Sequence, residues 1–79
     1  MTPAEEAAIQ TLVDAMLATS DLVKRYQEAK EVEAAFVAHV KEIKADITKR
    51  LYEGRSWNGV GDLLGVTGSR AEQISRGAR

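Results

Sequence analysis

Residues 56–76, SWNGVGDLLGVTGSRAEQISR, decide the fold of the chain. Two short segments with apolar residues at helical spacing, at about residues 57–64 and 68–76, flank Gly65. Gly65 can adopt the left-handed backbone conformation that ends a helix, and Thr67 can cap the helix that follows. The sequence therefore predicts two short helices joined by a tight, glycine-centred turn.

The two predicted helices carry apolar residues where they would touch. These residues are Val60, Leu63 and Leu64 on the first helix and Ala71 and Ile74 on the second. Gly61 has no side chain that would hold the helices apart. Two helices that cross steeply over a short turn containing Gly form the helix-turn-helix unit, whose second helix enters the major groove of DNA.

The likeness extends beyond the turn. Tyr52-Glu-Gly-Arg-Ser-Trp, Val60-Gly-Asp-Leu-Leu-Gly-Val-Thr and Arg70-Ala-Glu-Gln-Ile together resemble the tri-helical units of small bacterial transcription regulators, and are similar to region 4 of sigma factors. The resemblance covers roughly the last half of the chain and implies binding to double-stranded DNA. Gly68 and Glu72 depart from that pattern. A helix-forming residue usually stands at the start of the second helix, where this chain has Gly68, and Glu72 places an anion beside the face that would meet DNA.

Two longer helices are predicted before this pair. Thr2, Pro3 and Glu5 can form a capping box at the start of a helix over about residues 3–18. A second helix starts near Asp21 and meets no breaker until Gly54, so we expect it over about residues 21–53. A single continuous helix through residues 18–21 stays open, because no Gly or Pro interrupts it.

These elements predict an all-α protein with two parts. Residues 1–37 would form a helical oligomerisation arm and residues 38–79 a tri-helical DNA-binding unit. The long helix carries more apolar surface than that unit can bury, which favours a homodimer. The arm could form a hairpin, a parallel coiled coil or a four-helix bundle. The residues expected at the dimer interface are Ile9, Leu12, Met16, Leu22, Tyr26, Ala29, Phe36 and Val40.

Composition narrows the class of protein. A chain of 79 residues is one domain at most, and the absence of cysteine excludes disulfides, thiolate zinc sites and cysteine nucleophiles. No apolar run approaches the ~20 residues that a membrane span needs. The acidic, alanine-rich start is unlike a secretory signal, so we expect a cytoplasmic protein that does not associate with membranes.

Charge is distributed unevenly along the chain. Residues 1–40 hold three basic and seven acidic residues, a net charge of −4, whereas residues 41–79 hold eight basic and five acidic residues, a net charge of +3. This asymmetry is typical of a protein that touches DNA with one end.

The candidate DNA-binding residues lie in and around the two short helices. Arg can grip guanine and Gln can grip adenine with two hydrogen bonds, whereas hydroxyl groups near helix starts can contact phosphate. The candidates are Arg55, Ser56, Thr67, Ser69, Arg70, Gln73 and Arg76.

Each candidate also has a purely structural interpretation. Any amphipathic helix presents a polar face, and Ser56 and Thr67 serve first as helix caps. Trp57 is expected to pack on the preceding helix, near Leu51 or Tyr52, more than to stack on a base. His39 has no second His or Cys for a metal site, so we expect no metal and no cofactor.

No arrangement typical of an enzyme occurs, and we expect neither catalysis nor a small-molecule substrate. Two alternatives to DNA binding stay open. The chain could be a protein-interaction module that contacts RNA polymerase or another regulator. It could also be a coiled-coil assembly factor whose last 25 residues only cap the arm.

Overall fold

The computed structural model describes residues 1–77, and in this range the chain is entirely helical. Its four helices are α1 (Pro3–Leu17), α2 (Leu22–Tyr52), α3 (Trp57–Leu64) and α4 (Gly68–Ser75). Each end lies within two residues of the predicted one. In the described range no helix is both long enough and apolar enough to cross a membrane. The chain divides into two compact units, Met1–Ala35 and a second that begins at Phe36.

The first unit begins with the predicted capping box. The Thr2 backbone N–H donates to Glu5 Oε1 at 2.6 Å, and Glu5 N–H donates to Thr2 Oγ1 at 3.1 Å. These bonds satisfy two donors that a helix start otherwise leaves open. The hydrogen bonds from the backbone and side chain of Thr2 hold the pKa of the Glu5 carboxyl below its ordinary value.

A polar turn separates α1 from α2, so the helix is not continuous. Asp21 Oδ1 accepts from the backbone N–H groups of Val23 and Lys24 and thereby starts α2. Arg25 Nε donates to the Thr19 carbonyl at 2.9 Å, and Thr19 Oγ1 donates to Glu28 Oε2 at 2.7 Å. Side chains of α2 thus complete the hydrogen bonding of the turn without help from Gly or Pro.

Small residues form the core of the second unit. Val60 and Ala71 are fully buried, and Ala45, Thr48 and Ser75 are nearly so. Thr48 Oγ1 bonds the carbonyl oxygens of Lys44 and Ala45, and Ser75 Oγ donates to the Glu72 carbonyl. Both buried hydroxyls are therefore satisfied within their own helices.

This core corrects one expectation. Leu63 was expected against α4 but is 59% exposed. On α2, Ala45 and Thr48 face the core, and Ile43 is 59% exposed. Close approach of the helices selects small residues for the contact, and α3 turns Val60 and Gly61 inward, so that Leu63 points away.

Candidate nucleic-acid interface

The turn between α3 and α4 is built as the sequence predicts. Gly65 has φ 72° and ψ 30°, a left-handed conformation that ends α3. Val66 N–H then donates to the Gly61 carbonyl at 2.9 Å. Thr67 caps α4, because its Oγ1 accepts from Arg70 N–H at 3.1 Å. Three residues therefore reverse the chain and fix the start of α4.

Two glycines let α3 and α4 approach at this turn. A Cβ atom on Gly61 would lie 2.9 Å from the Thr67 carbonyl carbon, and one on Gly68 would overlap the Asn58 side chain. Any residue larger than Gly at either position would force the helices apart. Gly68, a departure from the resembled pattern, is thus explained by Asn58, whose role the sequence does not reveal.

The start of α3 is fixed by Ser56 and by stacked aromatic rings. Ser56 Oγ accepts from Gly59 N–H at 3.1 Å. Trp57 stacks on Tyr52 with ring centroids 3.9 Å apart, which confirms the expectation that this indole packs on the preceding helix. Arg55 Nη1 donates to the Leu51 carbonyl at 3.0 Å, so this exposed candidate also ends α2.

Three of the candidate residues lie exposed along α4 and at its end. Ser69 is in the first turn, Gln73 follows one turn later, and Arg76 is the C-terminal cap. Arg76 Nη2 lies 3.5 Å from Glu72 Oε1, so part of its charge is offset within the helix. Gln73 and Ser69 present neutral hydrogen-bonding groups to solvent.

Arg70 differs from these three residues in its surroundings. Its side chain is half-buried and lines a groove of about 300 Å³ between α4 and α2. The other residues along this groove are Phe36, Val37, Val40, Lys41, Lys44 and Ile74. Lys41 and Lys44 therefore line the same groove as Arg70. The two lysines are three residues apart on α2 and so share one face of it, and this spacing could have indicated in the sequence that they lie together.

The second unit carries a modest excess of positive charge. Residues 36–79 include eight basic and five acidic residues, a net charge of +3. Arg50 pairs with Asp46 at 2.9 Å, so this pair adds little to the field at the surface. Electrostatic attraction to DNA would come mainly from the lysines of α2 and from Arg55.

The residues expected at a dimer interface differ in exposure. In the first unit Leu22 and Tyr26 are well exposed, Tyr26 with Lys30 Nζ 5.8 Å from its ring centroid. Met16 is half-buried. The remaining residues of the predicted interface range from exposed to half-buried in their own units: Ile9, Leu12, Ala29, Phe36 and Val40.

Among residues 1–77 no group of His, Asp and Glu side chains is arranged to hold a metal ion. Comparison of the chain with protein-family models, with curated proteins and with solved structures finds no match.

Proposed function

We propose that this protein is a sequence-specific regulator of transcription that binds double-stranded DNA through a helix-turn-helix formed by α3 and α4. The observation that supports this most is the geometry at Gly65. A left-handed residue ends α3, Thr67 caps α4 two residues later, and α4 presents Ser69 and Gln73 to solvent. A capped, exposed helix that follows a short glycine turn is the element that such regulators place in the major groove.

Gln73 is the residue we assign to base recognition. Its exposed amide can donate to and accept from one adenine at the same time. Arg70 is the candidate for guanine, and its guanidinium would have to leave the groove beside Lys41 to reach a base. Ser69 would contact DNA at the start of α4, and Arg76 is better suited to phosphate because Glu72 already offsets part of its charge.

Phosphate contacts would come from the starts of α3 and α4. Ser56 and Thr67 cap these helices, and the backbone N–H groups near them favour an anion. Arg55 lies next to Ser56 and could add a direct charge contact. These contacts would hold α4 in register on the duplex without reading its sequence.

In this proposal the protein acts as a homodimer in the cytoplasm. A single unit of charge +3 offers few phosphate contacts, and a two-fold pair would double them on an inverted-repeat operator. Half-sites would then lie about one or two helical turns apart. Exposed apolar residues such as Leu22 and Tyr26 would supply contact area for the second copy.

Selection from random duplexes, followed by fluorescence anisotropy, tests the proposal. Gln73→Ala should weaken binding to the selected site by about 1–3 kcal/mol, as for one lost bidentate contact. Gln27→Ala is the matched control, because Gln27 is exposed on α2 in the other unit and should leave binding unchanged. Failure to enrich any sequence, or equal binding by both variants at every duplex, contradicts the assignment.

A second function, docking on RNA polymerase or another regulator, is favoured by the ion pair between Arg76 and Glu72. This pair makes the outer face of α4 nearly neutral, which suits a protein partner better than a polyanion. Added salt separates the two functions. Binding to DNA should weaken steeply between about 50 and 200 mM salt, as a power of the salt concentration whose exponent is set by the number of phosphates contacted, whereas a mainly apolar protein interface should not.

A further inference from the structure

A continuous groove crosses the second unit between α2 on one side and α3 and α4 on the other. Two adjoining cavities, of about 300 and 280 Å³, share Lys44 and Ile74 as lining residues. The groove follows α2 from Phe36 to Ile47, a length of roughly 16 Å at 1.5 Å per residue. This α2–α4 groove is long enough to hold about three turns of another helix.

The groove is apolar along its floor and basic along its rim. Phe36, Val40, Ile47, Leu64 and Ile74 supply apolar surface, and several of them are exposed. The rim carries Lys41, Lys44 and Arg70, and none of the described lining residues is Asp or Glu. The chemistry fits an amphipathic helix with acidic flanks.

Helix α1 has these properties. Ile9, Leu12 and Leu17 are partly exposed on one side of α1, and no residue of the helix is buried. Residues 1–23 contain four carboxylates and no Lys, Arg or His. Glu6 and Asp14 lie eight residues apart, on the same side of the helix and next to its apolar stripe.

We propose that α1 of a second copy of the chain occupies the α2–α4 groove, and that the two copies exchange this contact reciprocally. The proposal deepens the homodimer of the proposed function by assigning its interface. Two identical contacts related by a two-fold axis close the assembly. Direct contact between two copies of the groove is disfavoured, because both rims are basic.

Two charge-reversed full-length chains test the exchange. Glu6→Lys/Asp14→Lys makes α1 basic without touching the capping box, and Lys41→Glu/Lys44→Glu makes the rim acidic. Each chain alone should dimerise at least about tenfold more weakly than wild type in sedimentation equilibrium, because both of its contacts become repulsive. An equimolar mixture should recover the wild-type dimer, since basic α1 then meets acidic rim and acidic α1 meets basic rim.

The same measurements can overturn the proposal. A monomeric wild-type chain, an unaffected Glu6→Lys/Asp14→Lys chain, or a mixture that stays monomeric contradicts it; an unaffected chain would mean that α1 takes no part in the interface. Circular dichroism checks that each variant is helical. A variant that unfolds is replaced by the corresponding neutral pair, E6Q/D14Q or K41Q/K44Q, for which a smaller weakening of dimerisation is expected.

DNA binding is measured separately, so a dimer without DNA affinity refutes only the proposed function.

Discussion

Tyr52 and Trp57 stack across the turn that joins α2 to α3, with their ring planes 13° apart and their centroids 3.9 Å apart. Tyr52 belongs to the last turn of α2 and Trp57 to the first turn of α3, so the pair fixes the angle at which the chain leaves the long helix. One face of the indole is covered by the phenol ring and is not available to a nucleic-acid base.

Removal of this stack should destabilise the second unit. Tyr52→Ala is expected to lower the free energy of unfolding by about 1–2 kcal/mol, since a stacked aromatic pair contributes stability beyond that of the apolar area it buries. Urea titration followed by the fluorescence of Trp57, the only tryptophan, measures it. Gln27→Ala, at an exposed position of the other unit, is the control, and an equal loss from both variants would show that the stack contributes nothing specific.

Gly61 and Gly59 provide a matched pair in one helix. Gly61→Ala would bring a Cβ atom within 3 Å of backbone atoms at residues 66 and 67, and should cost about 1–3 kcal/mol. The Cβ atom of Gly59→Ala would lie 3.5 Å from Ser56 Oγ, an ordinary contact, so this variant should gain up to about 1 kcal/mol from helix propensity. The same urea titration measures both, and a destabilising Gly59→Ala would refute this description of the crossing.

Gly65 is required for its backbone conformation alone. A side chain would meet no atom within 4 Å there, but its φ of 72° is unfavourable for L-residues. Gly65→Ala should therefore cost about 1–2 kcal/mol, and Gly65→Asn less, because Asn tolerates the left-handed region better. Thermal unfolding followed by circular dichroism ranks the two variants. The opposite ranking would mean that the turn adopts another conformation.

The capping box at Thr2 and Glu5 should make the start of α1 dependent on pH. Folding lowers the pKa of the Glu5 carboxyl. Its contribution to the stability of α1 is therefore present above the pKa that Glu has in an unfolded chain, about 4.3, and is lost as the pH falls through the lowered pKa of the folded state. Glu5→Gln should weaken the first turn at pH 7, because an amide oxygen accepts the Thr2 N–H less strongly than a carboxylate does, and should change little at pH 2. The Thr2 amide resonance followed by NMR from pH 7 to pH 2 reports the loss.

Glu6→Gln is the control for this experiment. Glu6 lies in the same first turn, but the Thr2 backbone N–H donates to Glu5. The acid-dependent change at Thr2 should persist in this variant. Its disappearance would mean that the general charge of the helix start, rather than the Glu5 bond, is responsible.

Local signals in the sequence predicted the helices and their ends. The caps at Thr2, Ser56 and Thr67 and the left-handed Gly65 depend on residues within three or four positions of each other, and all four are found as expected. Such features are encoded by backbone hydrogen bonding and by the freedom of glycine, which do not require knowledge of tertiary contacts.

The packing of the second unit was less predictable. Apolar periodicity favoured Leu63 as a contact residue, whereas the structure leaves Leu63 exposed and buries Ala45, Thr48 and Ser75. Which face of a helix turns inward depends on how closely its neighbours approach, and that distance is set by Gly61 and by other small residues far apart in sequence. The half-buried position of Arg70 follows from the same crossing.

Among residues 36–77 the buried residues are glycine, alanine, serine, threonine and a single valine, so there is little volume to remove. Alanine scanning will consequently detect little of this core, because truncation there deletes at most the two methyl groups of Val60 or the methyl and hydroxyl groups of Thr48. Replacing each small residue by one that is larger by one or two carbon atoms, and measuring the loss of stability, will identify the positions that form this core. Adaptive changes in this part of the protein should accumulate on its outer surface, while its interior admits almost no bulkier replacement.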